Sequence, residues 1–245
     1  MARTPFEKPN INAMFDEISG NYDKLNALMT FGLYKQWRQA VVYALGDARP
    51  QRILDVATGT ADMPILLANS IPSVKEIVGV DYSAEMLRIG EDKVKSERLN
   101  KTVRLLPCNA ELLPFEDETF DAVTCAFGIR NFAHRERALS EMLRVLRPGG
   151  RLCILELSIP RNRLLRIGYN AYTNSVIPFL GKHVAKNEKA YQYLTRSIKA
   201  MPQYERMVAI IQSVGFTRVR FRALSGGTAT LFEAMRSSST PLIQA

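Results

Sequence analysis

The sequence lacks the features that mark a membrane-spanning, secreted or metal-binding protein. No run approaches the roughly 20 consecutive apolar residues that a transmembrane helix needs, and residues 1–10 contain no apolar signal-peptide core, so we expect a cytoplasmic protein. The 245 residues include only 3 cysteines and 2 histidines. Cys108, Cys125 and Cys153 lie far apart in apolar runs, which favours buried, reduced thiols over a disulfide, and we expect no metal site.

Acidic residues are outnumbered, with 24 Asp and Glu against 33 Lys and Arg, for a net charge of +9. A basic surface favours anionic partners such as nucleic acid, acidic lipid or a phosphorylated ligand, and it is equally compatible with a surface tuned for solubility. Motifs that combine aromatic and basic residues for base stacking are not evident, so we expect no nucleic-acid partner.

Short apolar runs alternate with helical periodicity from residue 51 onward. We predict strands at 52–57, 76–80, 102–106, 120–127 and 151–157, then two consecutive strands at 216–224 and 228–235. Helices between strands indicate βαβ units, and the short joint between the last two strands indicates an antiparallel hairpin. The fold class is therefore α/β: a doubly wound, mostly parallel seven-stranded sheet with helices on both faces and an antiparallel edge strand.

The two flanks of this pattern are assigned to the same domain. We predict one domain over 1–245, with N-terminal helices within 11–48 that break near Gly32. A further segment, 161–200, interrupts the alternation and is interpreted as a cover over the substrate.

A strand, a tight turn with one glycine and a helix follow one another in Leu-Asp-Val-Ala-Thr-Gly-Thr-Ala-Asp, residues 54–62. Dinucleotide enzymes use this geometry with three spaced glycines, but here only Gly59 is present, and Asp55 precedes the turn. An acid suits the α-ammonium of S-adenosylmethionine, while backbone N–H groups at Gly59 and Thr60 suit its carboxylate. The alternative is a glycine turn of no special function.

Polar residues also follow the next two strands. Asp81 lies 22 residues beyond Gly59, where an acid accepts hydrogen bonds from ribose hydroxyls; the alternative is that Asp81 or Ser83 only caps the next helix. Asn109 and the backbone of Ala110 follow the third strand and are placed to bind adenine, although Asn109 is also a common turn residue.

At these residues the sequence resembles the class I methyltransferases, and it closely resembles the ubiquinone/menaquinone-biosynthesis C-methyltransferase family over roughly 13–235. The specific signatures are Met-Phe-Asp at 14–16, Tyr-Asp-Lys-Leu-Asn at 22–26, Ala-Phe-Gly-Ile-Arg-Asn at 126–131, Arg-Val-Leu-Arg-Pro-Gly-Gly at 144–150 and Leu-Glu-Leu-Ser at 155–158. The sequence departs from the family where Ala61 replaces a glycine. We expect this methyl group to be tolerated if the φ angle is negative.

The resemblance implies an S-adenosylmethionine-dependent C-methyltransferase that acts on a ring carbon of a prenylated quinol, with demethylmenaquinol favoured and S-adenosylhomocysteine as the by-product. It implies a cofactor held by Gly59, Thr60, Asp81, Asn109 and Ala110. Tyr22 is expected to close over the methionine end of the cofactor, with helix packing as the alternative. A homodimer is left open.

The transfer requires a nucleophilic ring carbon, which forms when a neighbouring hydroxyl loses its proton. We expect Arg130 and Asn131, after the fourth strand, to face the quinol oxygens, with Arg130 lowering the phenol pKa by its charge. The alternative is that Arg130 pairs with a surface acid. Segment 161–189 mixes basic and apolar residues and is expected to cover a tunnel or to contact the inner face of an anionic membrane.

Other functions remain as alternatives at this point. They are C-methylation of a ubiquinone precursor, methylation of another small apolar acceptor such as a sterol or a phospholipid head group, an RNA methyltransferase, and a nicotinamide-dependent oxidoreductase. The missing glycines and the C-terminal hairpin argue against the last.

Overall fold

A computed structural model describes residue 16, residues 19–176 and residues 188–238. Within these residues it contains seven strands: β1 (Arg52–Val56), β2 (Glu76–Asp81), β3 (Val103–Pro107), β4 (Phe120–Ala126), β5 (Leu146–Leu157), β6 (Thr217–Leu224) and β7 (Ala229–Met235). The helices are α1 (Tyr22–Met29), α2 (Leu33–Gly46), α3 (Asp62–Ser70), α4 (Ala84–Ser96), α5 (Arg135–Val145), α6 (Arg163–Ala171), α7 (Glu188–Ala200) and α8 (Glu205–Ser213).

The strands form one sheet in the order β3-β2-β1-β4-β5-β7-β6. Strands β1 to β5 pair in parallel, while β7 runs antiparallel to both β5 and β6. The reversed strand thus lies next to the edge, and β6 forms the edge itself. This confirms the predicted α/β class, and the turn Ser225–Gly227 joins the two hairpin strands as expected.

Both faces of the sheet are covered because both faces of its strands are apolar. Ile53 points to the face that carries α2 and α3, whereas its neighbour Leu54 points to the face that carries α5 and α8. Both side chains are fully buried, and burial of each such side chain contributes about 1.5–3 kcal/mol. Central parallel strands need this double cover, which explains their nearly continuous hydrophobicity.

The N-terminal helices divide at Gly32, as predicted. Gly32 has a φ of 75°, a left-handed conformation that suits glycine and ends the helical run between α1 and α2. Helix α2 then buries Trp37, Val41 and Leu45, spaced four residues apart on one face. The indole N–H of Trp37 donates to Ser225 Oγ at 2.8 Å, which fixes α2 against the hairpin turn.

Helix α6 begins the predicted cover, and Asn162 caps it by accepting from the N–H groups of Leu164 and Leu165 at 2.9 and 3.2 Å. No side chain of α6 is buried, in contrast to α7, which buries Tyr193 and Ile198. Within the described part of the chain, no helix has both the length and the hydropathy to cross a bilayer.

The cysteine prediction holds for two positions and is wrong for the third. Cys125 and Cys153 are buried in β4 and β5, but Cys108 is only half-buried. Strand β3 ends at Pro107, so Cys108 lies in the loop beyond it, where the sheet no longer covers it.

Candidate active site

The turn after β1 is a run of left-handed conformations. Ala57, Gly59 and Ala61 have φ angles of 57°, 56° and 63°. A Cβ built on Gly59 would meet no atom within 4 Å, so there is free space beside this turn. The structure has the predicted strand–turn–helix order, and the space beside Gly59 leaves room for a ligand near the turn.

The expectation for Ala61 is corrected, because its φ is positive. A left-handed alanine is about 1–2 kcal/mol less favourable than a right-handed one. Its methyl group has room because the facing residue is Gly90, where an added Cβ would lie 3.1 Å from Ala61 Cβ. The methyl group of Ala61 is therefore accommodated because Gly90 has no side chain, and not because the φ angle of Ala61 is negative.

The carboxyl group of Asp55 is buried in β1, below the turn. It accepts a hydrogen bond from the hydroxyl of Thr124, on the adjacent strand β4. Burial raises the pKa of Asp55 to about 6, because a carboxylate without water is stabilised only by its immediate partners. Within the described residues Asp55 forms no ion pair, so an approaching cation would stabilise its charged form.

Asp81 joins two loops through its carboxylate. One oxygen accepts from the N–H of Gly59 at 2.8 Å and the other from the N–H of Ser83 at 2.9 Å. Burial raises the pKa of Asp81. Ser83 caps α4 by accepting from the N–H of Met86. Of the two residues that the sequence offered as caps, Ser83 therefore has that role, and the side chain of Asp81 bonds to Gly59 and Ser83 instead.

The loop after β3 places Asn109 and Ala110 at the same edge of the sheet. Asn109 is exposed, and its side-chain oxygen accepts from the N–H of Glu111 at 2.9 Å. Asn109 therefore serves as a turn residue, one of the two roles that the sequence left open. Ala110 packs against the buried core.

Ionic contacts brace the turn from outside. Asp62 accepts from Arg38 of α2 and from Lys93 of α4, both at 2.6 Å. Lys93 also donates to Thr60 Oγ at 3.0 Å. These contacts fix the first turn of α3, whose N-terminus carries the partial positive charge that favours anions.

A cavity of about 430 Å³ lies beside this turn, at the carboxyl ends of β4 and β5. Phe127 lines the cavity, and the following Gly128 lies so close to Ala57 that an added Cβ would be 2.4 Å from Ala57 Cβ. The other walls come from α1, α2, α6, α7 and the hairpin turn, and they include Met29, Leu33, Trp37, Leu157, Tyr169, Leu194 and Ile198. The cavity is therefore mostly apolar, and it adjoins the turn.

Arg130 is the single charged side chain among the described residues that line the cavity. Its guanidinium forms an ion pair with Glu156 Oε1 at 2.8 Å, and both side chains are buried. Glu156 also accepts from the N–H groups of Arg130 and Leu157 at 3.2 and 2.8 Å. Arg130 thus has an acidic partner, but this partner is a buried residue of β5 and not the surface acid that the sequence left as an alternative.

Comparison with known proteins agrees with this geometry. The model of the ubiE/COQ5 methyltransferase family matches residues 3–236. The demethylmenaquinone methyltransferase of Porphyromonas gingivalis is 45% identical over 92% of both chains, and the ubiquinone/menaquinone biosynthesis C-methyltransferase UbiE of Stutzerimonas stutzeri is 37% identical over 91% of this chain and 87% of its own.

The chain belongs to the ubiE/COQ5 methyltransferase family. It is an S-adenosylmethionine-dependent methyltransferase of quinone biosynthesis, as the sequence signatures predict. A solved methyltransferase from Thermotoga maritima, described as a possible histamine N-methyltransferase, aligns over 92% of this chain and 99% of its own with a TM-score of 0.64 and 20% identity. The cyclase SpnF aligns over 94% of this chain and 96% of its own with a TM-score of 0.68 and 16% identity, so such likeness shows the fold alone.

The methyltransferase brings most of its predicted site residues to one edge of the sheet. Gly59, Thr60 and Asp81 meet at the turn, with Asp55 buried beneath it, while Asn109 lies on the neighbouring loop. Tyr22 lies in α1, but its side chain is outside the described residues.

Asn131 and Arg130 follow β4 together, and Asn131 Oδ1 accepts from the hydroxyl of Tyr193 of α7 at 2.9 Å. Sequence reasoning missed Glu156, Tyr169 and Tyr193. Glu156 had a signal, since it is the one acid within the apolar stretch of β5. Tyr169 and Tyr193 lie in the cover segment, where nothing in the sequence separates cavity residues from surface residues.

Proposed function

We propose that this methyltransferase transfers a methyl group from S-adenosylmethionine to a ring carbon of a prenylated quinol precursor, and that the reaction is demethylmenaquinol to menaquinol. The observation that carries the proposal is the apolar cavity beside the cofactor turn, with one buried guanidinium in its wall. A flat aromatic diol needs this combination, because its ring seeks apolar walls and its ionised oxygen seeks a positive charge.

The choice of a naphthoquinol as the acceptor rests on the names of the relatives. The protein that is 45% identical is named a demethylmenaquinone methyltransferase, whereas the UbiE proteins at 37% are named for both quinones. C-methylation of a ubiquinone precursor is therefore the second candidate. Other small apolar acceptors and RNA have no comparable support.

The turn fits the proposed donor. The space beside Gly59 accommodates a close ligand, and the buried carboxyl of Asp55 suits the α-ammonium group, since a cation there would restore its ionised form. We assign the turn at Gly59 and Thr60 to the carboxylate of the donor, with the Gly59 N–H also held by Asp81. Asp81 is assigned to its ribose, and Asn109 with Ala110 to its adenine. Tyr22 remains assigned to the methionine end.

S-adenosylmethionine supplies an electrophilic methyl group when it is bound. The residues of this chain have three remaining tasks: to orient the quinol, to exclude water, and to favour loss of the proton from a quinol hydroxyl. The apolar walls perform the first two. Arg130 favours the third by stabilising the phenolate oxygen, with Asn131 beside it as a hydrogen-bonding group. The hydroxyl proton passes to solvent, and the proton of the methylated ring carbon later restores the hydroxyl.

Glu156 positions Arg130 for that task. The ion pair and the bond from the Arg130 backbone N–H to Glu156 hold the arginine against β5 at two points. Tyr193 positions Asn131 in a similar way. Tyr169 lines the same cavity, and burial raises the pKa of its hydroxyl to about 12. This hydroxyl therefore stays protonated and serves as a hydrogen-bond donor to the acceptor.

The test is incubation of the purified protein with labelled S-adenosylmethionine and a panel of reduced acceptors, followed by mass spectrometry of the product. The panel contains demethylmenaquinol, the corresponding benzoquinol precursor, a phospholipid and RNA. We expect methylation of demethylmenaquinol at a ring carbon. Preferential methylation of the benzoquinol would favour the second candidate, and labelling of the phospholipid or RNA alone would refute both.

Three further assignments are part of the proposal. The chain forms one methyltransferase domain over 1–245, with a cover segment at 161–200. It resides in the cytoplasm and contacts the inner face of the membrane peripherally. The homodimer stays a prediction, to be checked by light scattering at micromolar concentration.

A further inference from the structure

The mouth of the cavity carries exposed apolar side chains. Phe31, in the turn between α1 and α2, is 75% exposed, and Leu164 and Leu165 of α6 are 79% and 51% exposed. All three also line the cavity. Ile167, one turn along α6, is 60% exposed. We call these four residues the apolar rim.

The apolar rim spans two segments that are far apart in the sequence and meet in the structure. The rings of Phe31 and Tyr172 are 5.4 Å apart between centroids, and the Tyr172 hydroxyl donates to the Met29 carbonyl at 3.0 Å. The α1–α2 turn and the end of α6 therefore form one continuous surface. Single exposed apolar residues are common, but a cluster around a cavity mouth marks an interaction surface.

Helix α6 has the pattern of a helix that lies on a membrane. At 3.6 residues per turn, Arg163, Arg166 and Asn170 fall on one side, and the apolar residues occupy the rest of its circumference. On the apolar part of the helix surface, Leu165 and Tyr169 line the cavity, while Ile167 lies outside the cavity lining. An amphipathic helix with a basic face and no buried side chain is typical of a helix at a lipid interface.

The charges around the rim are of one sign. The segments 26–37 and 160–176, which contribute the rim, contain no acidic residue, whereas they contain Lys35, Arg161, Arg163 and Arg166. Arg161 pairs with Glu205 outside these segments. The remaining cations complement an anionic surface, where each contributes about 1 kcal/mol of attraction.

The size of the cavity adds a second argument. A cavity of about 430 Å³ lies near the lower end of the range that encloses a drug-sized ligand. A quinol with a long prenyl tail is much larger, so its tail must leave through the mouth and cross the apolar rim.

We propose that the apolar rim docks on an anionic lipid bilayer, and that the tail of the acceptor stays in the bilayer while only its ring enters the cavity. This inference rests on the proposed function and names the surface and the path of the tail. It follows that turnover of membrane-embedded acceptors is insensitive to the number of isoprene units beyond those that reach the rim.

The experiment uses the full-length protein with vesicles of phosphatidylglycerol and phosphatidylcholine at low salt, and with vesicles of phosphatidylcholine alone. The variant is Phe31→Ser with Ile167→Ser, and the control is Tyr43→Ser, an aromatic residue that is 72% exposed on α2 and lies outside the cavity lining. We expect the wild type and the control to co-sediment with anionic vesicles, and the double variant to bind them about tenfold more weakly or worse, since two apolar side chains are lost. Arg163→Gln with Arg166→Gln should remove the preference for anionic lipid.

Turnover provides a second measurement. We expect Ile167→Ser to methylate a vesicle-embedded quinol more slowly than the wild type but to methylate the ring without its tail, in solution, at the same rate. Absence of wild-type binding to anionic vesicles, or equal binding by the double variant, would overturn the inference. If the wild type binds vesicles through the rim yet methylates no quinol, the proposed function fails while the docking surface stands.

Discussion

The donor side and the acceptor side of the site, as we propose them, are built in different ways. The donor side consists of loops that follow β1, β2 and β3, within residues 55–110, and its chief buried acid, Asp55, has no ionic partner among the described residues. The acceptor side collects residues from Asn26 to Thr228, and its buried acid, Glu156, is paired with Arg130. The buried carboxyl of the donor side can therefore pair with a cationic group of the ligand. The buried carboxyl of the acceptor side is already paired with an arginine of the protein.

The largest effect should follow removal of the cation on the acceptor side. Arg130→Ala leaves Glu156 buried without its cationic partner, which should lower the free energy of unfolding by about 3–5 kcal/mol. It should also lower kcat by about 10²–10³, the usual loss for a residue that stabilises a developing anion. Urea unfolding and turnover measure the two effects.

The double variant Arg130→Met with Glu156→Gln separates stability from catalysis. The N–H groups of residues 130 and 157 bind different carboxylate oxygens of Glu156, and the single amide oxygen of glutamine can accept from only one of them. Because no buried charge is left without its counter-charge, part of the stability should return. Turnover should remain low. If turnover recovers along with stability, the pair is structural and Arg130 has no direct role in the reaction.

On the donor side, Asp55→Asn should weaken binding of S-adenosylmethionine without a comparable loss of stability. The lost interaction is a charge-assisted hydrogen bond of about 1.5–3 kcal/mol, or roughly 10- to 150-fold in Kd. Calorimetry gives the Kd, and the KM for the quinol should stay unchanged because the acceptor side is intact. If Asp55→Asn lost quinol binding but kept normal donor affinity, the assignment of Asp55 to the donor side would be wrong.

The same carboxyl predicts that stability depends on pH. Burial raises the pKa of Asp55 from 3.8 to about 6, so the folded protein holds a proton that the unfolded chain releases. This contribution to stability, of about 3 kcal/mol, is present below pH 4 and is lost as the pH rises through 6.

Donor affinity should change in the opposite direction, because the ammonium group requires the ionised carboxylate. We expect the Kd for S-adenosylmethionine to fall as the pH rises from 5 to 7, and the Asp55→Asn variant to show a nearly flat profile. A wild-type profile as flat as that of the variant would contradict the assignment.

The smallest effect concerns the turn itself. Ala61→Gly relieves a left-handed alanine, worth about 1–2 kcal/mol, but removes a buried methyl group worth about 0.8 kcal/mol. We expect a net gain in stability of about 1 kcal/mol or less and a change in donor Kd of no more than a few-fold. Thermal unfolding with and without the donor checks both, and a clear loss of stability would show that the contact with Gly90 matters more than the backbone strain.

The residues of the donor side could be predicted because each of them lies at or just after the end of a strand. Alternating strands and helices imply a parallel sheet, the carboxyl ends of its strands meet at one edge, and the turn residues Asp55, Gly59 and Asp81 follow directly. What the sequence did not reveal there was the positive φ angle of Ala61 or the contact that leaves room for its methyl group beside Gly90. That contact joins two helices, so it becomes visible only once the fold is known.

The acceptor side was predictable only in part. The sequence placed Arg130 after the fourth strand, where it lines the cavity. Its partner Glu156 lies 26 residues away on the adjacent strand, and strand pairing had to be known first. Tyr193 and Tyr169 belong to helices whose positions are set by packing across the mouth of the cavity. Periodicity places such residues on a helix face but does not show what that face meets.

The bond between Trp37 and Ser225 joins residues 188 positions apart. On the ribosome, the donor loops at 55–110 are complete long before the hairpin turn emerges, whereas the acceptor pocket lacks a wall until Thr228 has been synthesised. The last two strands must therefore be synthesised and paired before α2 is anchored and the acceptor pocket is closed, and methyl transfer waits for them.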